Sequence, residues 1–203
     1  IHNIMKVLQI NTVVGIGSTG RIADSIGDFI IKNNSKSYIR YGRKVGKSNS
    51  EIIKIGNYFN IIFNVIQTRL LDKHALNLSK PTLLFIDKIV ELDPDIIHIH
   101  NVHGYYLNFE VLFNFLIKYD KPIVWTFHDC WAFTGHCTFF DHVKCDKWKS
   151  ECNNCILLKD YPKSILKDNS KNNYILKKSI FSNIQKLHIV TPSLWMKNKL
   201  VDS

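Results

Sequence analysis

The chain has 203 residues, 45% hydrophobic and 22% charged, an ordinary balance for a globular protein of one large domain or two small ones. No stretch reaches the roughly 18 uninterrupted apolar residues that a helical membrane span needs. The formal charge of +10 admits acidic or phosphorylated partners, although the abundance of Lys, Asn and Ile is also what an AT-rich genome produces.

The opening IHNIMKVLQINTV lacks the apolar length and small-residue cleavage site of a signal peptide, and Met5 is a candidate natural start with Ile1–Ile4 as an upstream remnant. Lys6–Asn11 (KVLQIN) reads as a first strand. Thr12–Gly20 is a glycine-rich loop. Arg21–Lys32 then carries Ile22, Ile26, Phe29 and Ile30 at helical spacing, with Ser18 or Thr19 as its N-cap. Ser37–Tyr41 is a second strand, followed by a basic turn (GRKVGKSNS). Asn57–Leu71 and Pro81–Leu92 read as helices, Pro81 lying in a first turn. Asp95–His100 is a short buried strand, Leu107–Tyr119 a helix and Pro122–Phe127 another apolar strand. Beyond a cysteine-rich loop, Asn172–Ile184 is helical, Leu187–Thr191 is a last strand and Ser193 caps a new helix. This alternation implies an α/β fold: a Rossmann-like parallel sheet with helices on both faces and a Cys-rich loop insertion.

Ligands of such sheets sit outside the carboxyl ends of the strands, so the candidate chemistry is read there. Gly15, Gly17, Ser18 and Gly20 can bring backbone N–H groups and a helix N-terminus to an anion such as a diphosphate. The spacing G-x-G-x-x-G lacks the acidic residue that would end the second strand of a dinucleotide site, since Arg40 and Tyr41 stand there. The plainer reading is a tight strand-to-helix turn. In HIHNVHGYYLN, His98 and His100 share one strand face, and Asn101, His103, Tyr105 and Asn108 follow. Imidazole, amide and hydroxyl groups among aromatic rings suit a sugar. His-x-His also suits a metal, and His98 alone suits a satisfied core position.

His128 and Asp129 form the sharpest pair. The imidazole can donate to a substrate hydroxyl or phosphate, and the carboxylate can orient it or take a proton from an acceptor hydroxyl; alternatively both cap a strand. Cys137, Cys145, Cys152 and Cys155 offer thiolates for a structural zinc, with Cys130 and His136 as substitutes. Free thiols and disulfides are the other readings. No residue supplies a base for a cysteine nucleophile.

Four stretches, MKVLQINTVVGIGSTGRIADSI, PDIIHIHNVHGYYLN, WTFHDCWAFTGHCTFFDHVKCDKWKSECNNC and IVTPSLWMKNKL, together resemble the N-terminal half of a GT-B glycosyltransferase. The resemblance is to bacterial enzymes of the large retaining family 4, the type that builds capsular or exopolysaccharide. It implies residues 1–192 as a Rossmann-like acceptor-side domain and residues 193–203 as the start of an interdomain linker or helix, the C-terminal donor domain being absent. It also implies that Gly15, Gly17, Ser18 and Gly20 lie against donor phosphates and His128 contacts the transferred sugar. Asn101, His103 and Tyr105 would shape the acceptor side, and catalysis would need no metal or other cofactor. The implied partners are a nucleoside diphosphate sugar and a saccharide or lipid-linked saccharide, handled by a cytoplasmic protein at the inner-membrane surface, with no nucleic acid. A stretch lacking the donor domain is expected to be inactive alone. Two rival functions are a carbohydrate-binding module without turnover and a zinc-organised nucleic-acid binder.

Overall fold

The computed structural model describes residues 4–203, so the upstream remnant expected at Ile1–Ile4 lies, apart from Ile4, outside the described residues. Six strands form one wholly parallel sheet: β1 (Lys6–Val14), β2 (Lys36–Val45), β3 (Glu51–Lys54), β4 (Ile96–Ile99), β5 (Ile123–Thr126) and β6 (Leu187–Val190). Their spatial order is β3-β2-β1-β4-β5-β6. The chain winds outward from β1 to β3, returns beside β1 with β4, and winds the other way. The order therefore reverses between β1 and β4, and the crevice at the carboxyl ends of those strands is the natural ligand position of this architecture.

The connecting helices are α1 (Gly17–Lys32), α2 (Tyr58–Leu71), α3 (Ser79–Leu92), α4 (Phe109–Leu116), α5 (Ser170–Phe181) and α6 (Leu194–Val201). Strand parity divides the core. Leu8, Ile10, Ile97, Ile99, Ile123 and Trp125 point to a large cluster with Phe85, Ile89, Leu112, Phe113 and Ile180 of α3, α4 and α5. Val14, Ala23 and Ile39 form a smaller cluster under α1 on the opposite face. Among the described residues no helix is long and apolar enough to cross a membrane.

Several boundaries depart from the sequence expectation. The first strand continues through Val14, and Gly15 and Gly17, at φ 65° and 64°, turn the chain directly into α1. Its N-cap is Ile16, with no side-chain hydrogen bond, so Ser18 and Thr19 lie inside the first turn rather than capping it. The basic turn is shorter than expected because β2 runs to Val45 and EIIK adds an edge strand, β3, paired with Tyr38–Tyr41. Ser193 does cap α6, accepting the Met196 N–H at 3.2 Å. In α2, Asn57 and Asn60 cap each other reciprocally at 3.0 and 2.9 Å.

Gly42 of β2 shows how the sheet meets the loop after β4. A Cβ there would run into the ring and Cβ of Tyr106, which is fully buried and held by its hydroxyl on the Asn101 carbonyl at 2.7 Å. Gly42→Ala is expected to lower stability by about 1–3 kcal/mol, the usual cost of overpacking, read as a lower denaturation midpoint at unchanged slope.

Candidate functional site

The β strands carry a polar column on the face opposite the large core. Gln9 and Asn11 of β1 share parity, as do His98 of β4 and His100 just beyond that strand, and Thr126 of β5 is followed by His128 on the same side. The His98 and His100 rings stack at 4.3 Å, and those of His100 and His128 at 5.3 Å. His98 Nε2 lies 2.8 Å from the Thr126 hydroxyl. His100 Nδ1 lies 3.0 Å from His128 Nε2, and His100 Nε2 lies 3.0 Å from Gln9 Oε1. Gln9 Nε2 donates to the Ala23 carbonyl of α1 at 2.9 Å.

This last bond determines the protons of the others. A carbonyl only accepts, so the Gln9 amide must present N–H to Ala23 and oxygen to His100. His100 then carries its proton on Nε2 and has a bare Nδ1, to which His128 must donate from its own Nε2. Neutral His128 is left with an unprotonated Nδ1, a hydrogen-bond acceptor, on its other side. Burial pushes His100 down to about 2 and His98 down to about 4, with neighbouring imidazoles adding to both. His128 is also lowered by burial, with Asp129 opposing.

Asp129 does not hydrogen-bond to His128. Its Oδ2 lies 2.7 Å from His103 Nε2, and its Oδ1 accepts the Trp131 N–H at 2.9 Å. Burial raises this carboxyl, but His103 and the Trp131 N–H outweigh it and hold the group below its ordinary range. The loop bearing Asn101 and His103 is tied to β1 through the Thr12 hydroxyl, which donates to the His103 carbonyl at 2.7 Å. Asn101, His103, His128 and Asp129 thus line one small depression with His100 and Trp131. Tyr105 lies behind it at φ 70°, its ring 4.7 Å from that of His74. The glycine turn folds on itself, the Gly15 N–H bonding the Gly20 carbonyl at 3.0 Å, and borders the Gly46–Lys47 turn.

The structure adds residues that the sequence reading passed over. Gln9 was signalled by a polar residue within an apolar buried strand. Asn11, buried beside the reversal point, has an unpartnered Nδ2. His74 is enclosed by the rings of Tyr105, Trp131 and Tyr161 with neither nitrogen partnered, and burial pushes it well below its ordinary value. Lys177 lies under the site: its Nζ donates to the Trp131 carbonyl at 2.7 Å and sits 3.8 Å from the Trp131 ring centroid. Burial lowers it to about 7.

All five cysteines are free. Cys137, Cys145, Cys152 and Cys155 line one cavity together with His136. His136 Nδ1 is bonded to Asp72 at 2.6 Å, and its buried Nε2 has no partner. A carboxylate-backed imidazole beside thiols is the donor chemistry of zinc. The arrangement is another matter, since among the described residues no group of three or more His, Cys, Asp or Glu side chains is placed to hold a metal ion.

The histidine column makes stability acid-sensitive. His98 and His100 remain neutral in the fold, whereas in the unfolded chain they charge below about 6.5. The unfolded state then binds more protons, so stability falls as pH drops from about 6.5 toward about 4, by up to about 1.4 kcal/mol per histidine per pH unit. Denaturation at about pH 7 and about pH 5 should show this loss, with a shallower dependence in His100→Gln. Long-range proton–nitrogen correlation spectra should show His100 and His128 both protonated at Nε2. An Nδ1-protonated His128 would contradict the network.

No protein-family model and no solved structure matches the chain. Over 172 residues it is 28% identical to a protein of Escherichia coli (strain K12) provisionally named colanic acid biosynthesis glycosyl transferase WcaC. The match takes in 78% of this chain and 41% of that relative, so the chain spans about two fifths of the length of the protein it resembles.

Proposed function

We propose that the chain forms the acceptor-side half of a GT-B retaining glycosyltransferase of surface polysaccharide synthesis. The protein would move a hexosyl group from a nucleoside diphosphate sugar to a saccharide or lipid-linked saccharide. The observation that carries the reading is the meeting of His128, Asn101, His103 and Asp129 at the carboxyl ends of β4 and β5, beside the reversal of strand order between β1 and β4. The similarity to a named glycosyl transferase supports it independently. Residues 1–192 form the domain in this reading, and residues 193–203 lead toward a donor-binding half supplied by further chain. The 203-residue stretch alone would then be inactive.

In this mechanism the acceptor hydroxyl attacks the anomeric carbon from the leaving group's face. A new carbon–oxygen bond forms as the bond to the diphosphate breaks, and the acceptor proton passes to the departing diphosphate oxygen. The Gly15–Gly20 turn offers backbone N–H groups and the start of α1 to the donor phosphates. His128, with its bare Nδ1, accepts a hydrogen bond from a hydroxyl of the transferred sugar. Asp129 is a fixed negative charge that holds His103 through Nε2, so that His103, Asn101 and Tyr105 orient the acceptor side. No cofactor takes part in this catalytic scheme.

His128→Ala in the full-length protein should lower turnover by about a hundredfold or more. His128→Asn should recover part of it by restoring an acceptor. Unchanged kinetics in the alanine variant would remove His128 from the mechanism. Binding of sugar without turnover by the full-length protein would favour the binding-module rival.

For the cysteine loop we propose a structural zinc held by thiolates among Cys137, Cys145, Cys152 and Cys155, the unpartnered His136 Nε2 being the substitute donor. The shared cavity supports this reading, and closing the site requires the donor side chains to turn inward. Metal analysis of protein purified without added zinc should find about one equivalent, and chelation should lower the unfolding midpoint. Well under one equivalent would leave free thiols.

A further inference from the structure

The segment that follows the cysteine cluster reaches back to the depression. It is tied down along its length. The Cys155 N–H bonds the Asp168 carboxylate at 2.5 Å, the Ser164 N–H bonds the Leu158 carbonyl at 2.9 Å, and the Ile165 N–H bonds the Arg69 carbonyl of α2 at 2.7 Å. Ser164 is fully buried, and Leu157 belongs to the large core. Tyr161 lies within this anchored stretch. It is 42% exposed, yet its ring meets three others, at 5.7 Å from His74, 5.9 Å from His103 and 6.0 Å from Tyr105.

His103 is engaged at both ring nitrogens. Its Nε2 lies 2.7 Å from Asp129 Oδ2, and its Nδ1 lies 3.3 Å from the Tyr161 hydroxyl. A carboxylate only accepts, so Nε2 carries a proton. In the neutral ring Nδ1 is then bare, and the Tyr161 O–H donates to it. Burial raises the Tyr161 hydroxyl, with Tyr105 and Asp129 adding and Arg43 opposing, so the group keeps its proton. The Thr12 hydroxyl already fixes the backbone of His103 through its carbonyl, and Asp129 fixes one nitrogen. The bond from Tyr161 is the one that determines the other nitrogen, and with it the plane of the ring.

We propose that Tyr161 is a positioning residue of the site: its hydroxyl holds His103 in the Nε2–H form and in one plane, so that the bond to Asp129 persists and the imidazole presents a fixed face to the acceptor side. With both nitrogens taken, His103 acts on a ligand through that face and through the carboxylate it secures. The cysteine loop gains a task in this arrangement. It delivers Tyr161 to a pair whose members come from the loops after β4 and β5, across 58 positions of sequence. The use of the ring face rests on the transferase reading, whereas the bond itself does not, so the two can fail separately.

Long-range proton–nitrogen correlation spectra of the full-length protein, isotope-labelled in histidine, would be compared with those of Tyr161→Phe, which keeps the ring and removes the donor. In the unaltered protein His103 should be protonated at Nε2 alone. In Tyr161→Phe its Nδ1 resonance should move downfield, toward that of an unbonded nitrogen. A tyrosine fluorinated beside its hydroxyl, placed at position 161, is a stronger donor and should move the same resonance upfield. Release of nucleoside diphosphate from a mixture of uridine and guanosine diphosphate hexoses should fall about tenfold in Tyr161→Phe, the effect of one lost hydrogen bond. Three results would overturn the proposal. One is an Nδ1 resonance that neither substitution moves, which would leave Tyr161 as ring packing. Another is a proton on both nitrogens of His103, which would make Tyr161 the acceptor. The third is a moved resonance with unchanged release, which would separate the bond from the reaction. Absence of release by the unaltered protein would instead overturn the transferase reading, and the resonance would decide the bond without it.

Discussion

The site depends on how closely α1 approaches β1. Gly27 has no Cβ, and one built there would strike the Ser50 hydroxyl and come within 3.0 Å of that of Ser37. With Gly27 and Ala23 on its inner face, the helix settles low enough for the Gln9 amide to reach the Ala23 carbonyl. That carbonyl orients the amide, the amide assigns the protons of His100, and His100 assigns those of His128. A packing decision on one face of the sheet therefore sets the hydrogen-bonding character of an imidazole at its carboxyl edge. Buried imidazoles are costly unless partnered, and here the partners are mutual, so the network is rigid as well as satisfied.

A second anchor holds the other half of the depression. Trp131 meets the rings of Phe109 and His103 while Lys177 lies beneath it. Its N–H is bonded by the Asp129 carboxylate and its carbonyl by Lys177. The residue thus relates the pair Asp129–His103 to helix α5. Asp72 plays a similar part for the cysteine loop, since its carboxylate takes both His136 and the Asn169 N–H, and its carbonyl takes the Asn173 amide. Long-range bonds of this kind let a segment with only short 3₁₀ turns between β5 and α5 keep a defined path.

Short apolar runs made β1, β4 and β5 legible in the sequence, and parity alone placed His98 and His100 on one face. The partners of those residues were less visible. His103 meets Asp129 because β4 and β5 are neighbours and both chains leave the sheet at the same edge, a consequence of topology that neither motif contains. Lys177 sits in YILKKSIF beside a second lysine, with nothing in the spacing to set it apart, yet it is buried beneath an indole. Strand β3 escaped notice because EIIK is an edge segment with charges at both ends, and pairing with β2 rather than burial defines it. The N-cap of α1 was misplaced because positive φ at Gly15 and Gly17 lets the turn do without a side-chain cap.

Helix α2 shows why periodicity locates a helix without saying which way it faces. YFNIIFNVIQTRLL is apolar around most of its circumference, so no apolar stripe distinguishes inside from outside. Hydrogen bonding makes the choice. Asn57 and Asn60 close the N-terminus, Asn77 donates to Asn64 at 3.2 Å, and Asp72 ends the helix in a left-handed conformation while binding the cysteine loop. These polar ties hold the helix by its asparagines and leave its apolar residues outward. The anchored side is bonded to the loop after β5 through Asp72, whose carboxylate takes His136. The side chains that seat the helix and those that it leaves exposed are therefore separate sets, and the apolar surface can be altered without breaking the polar ties.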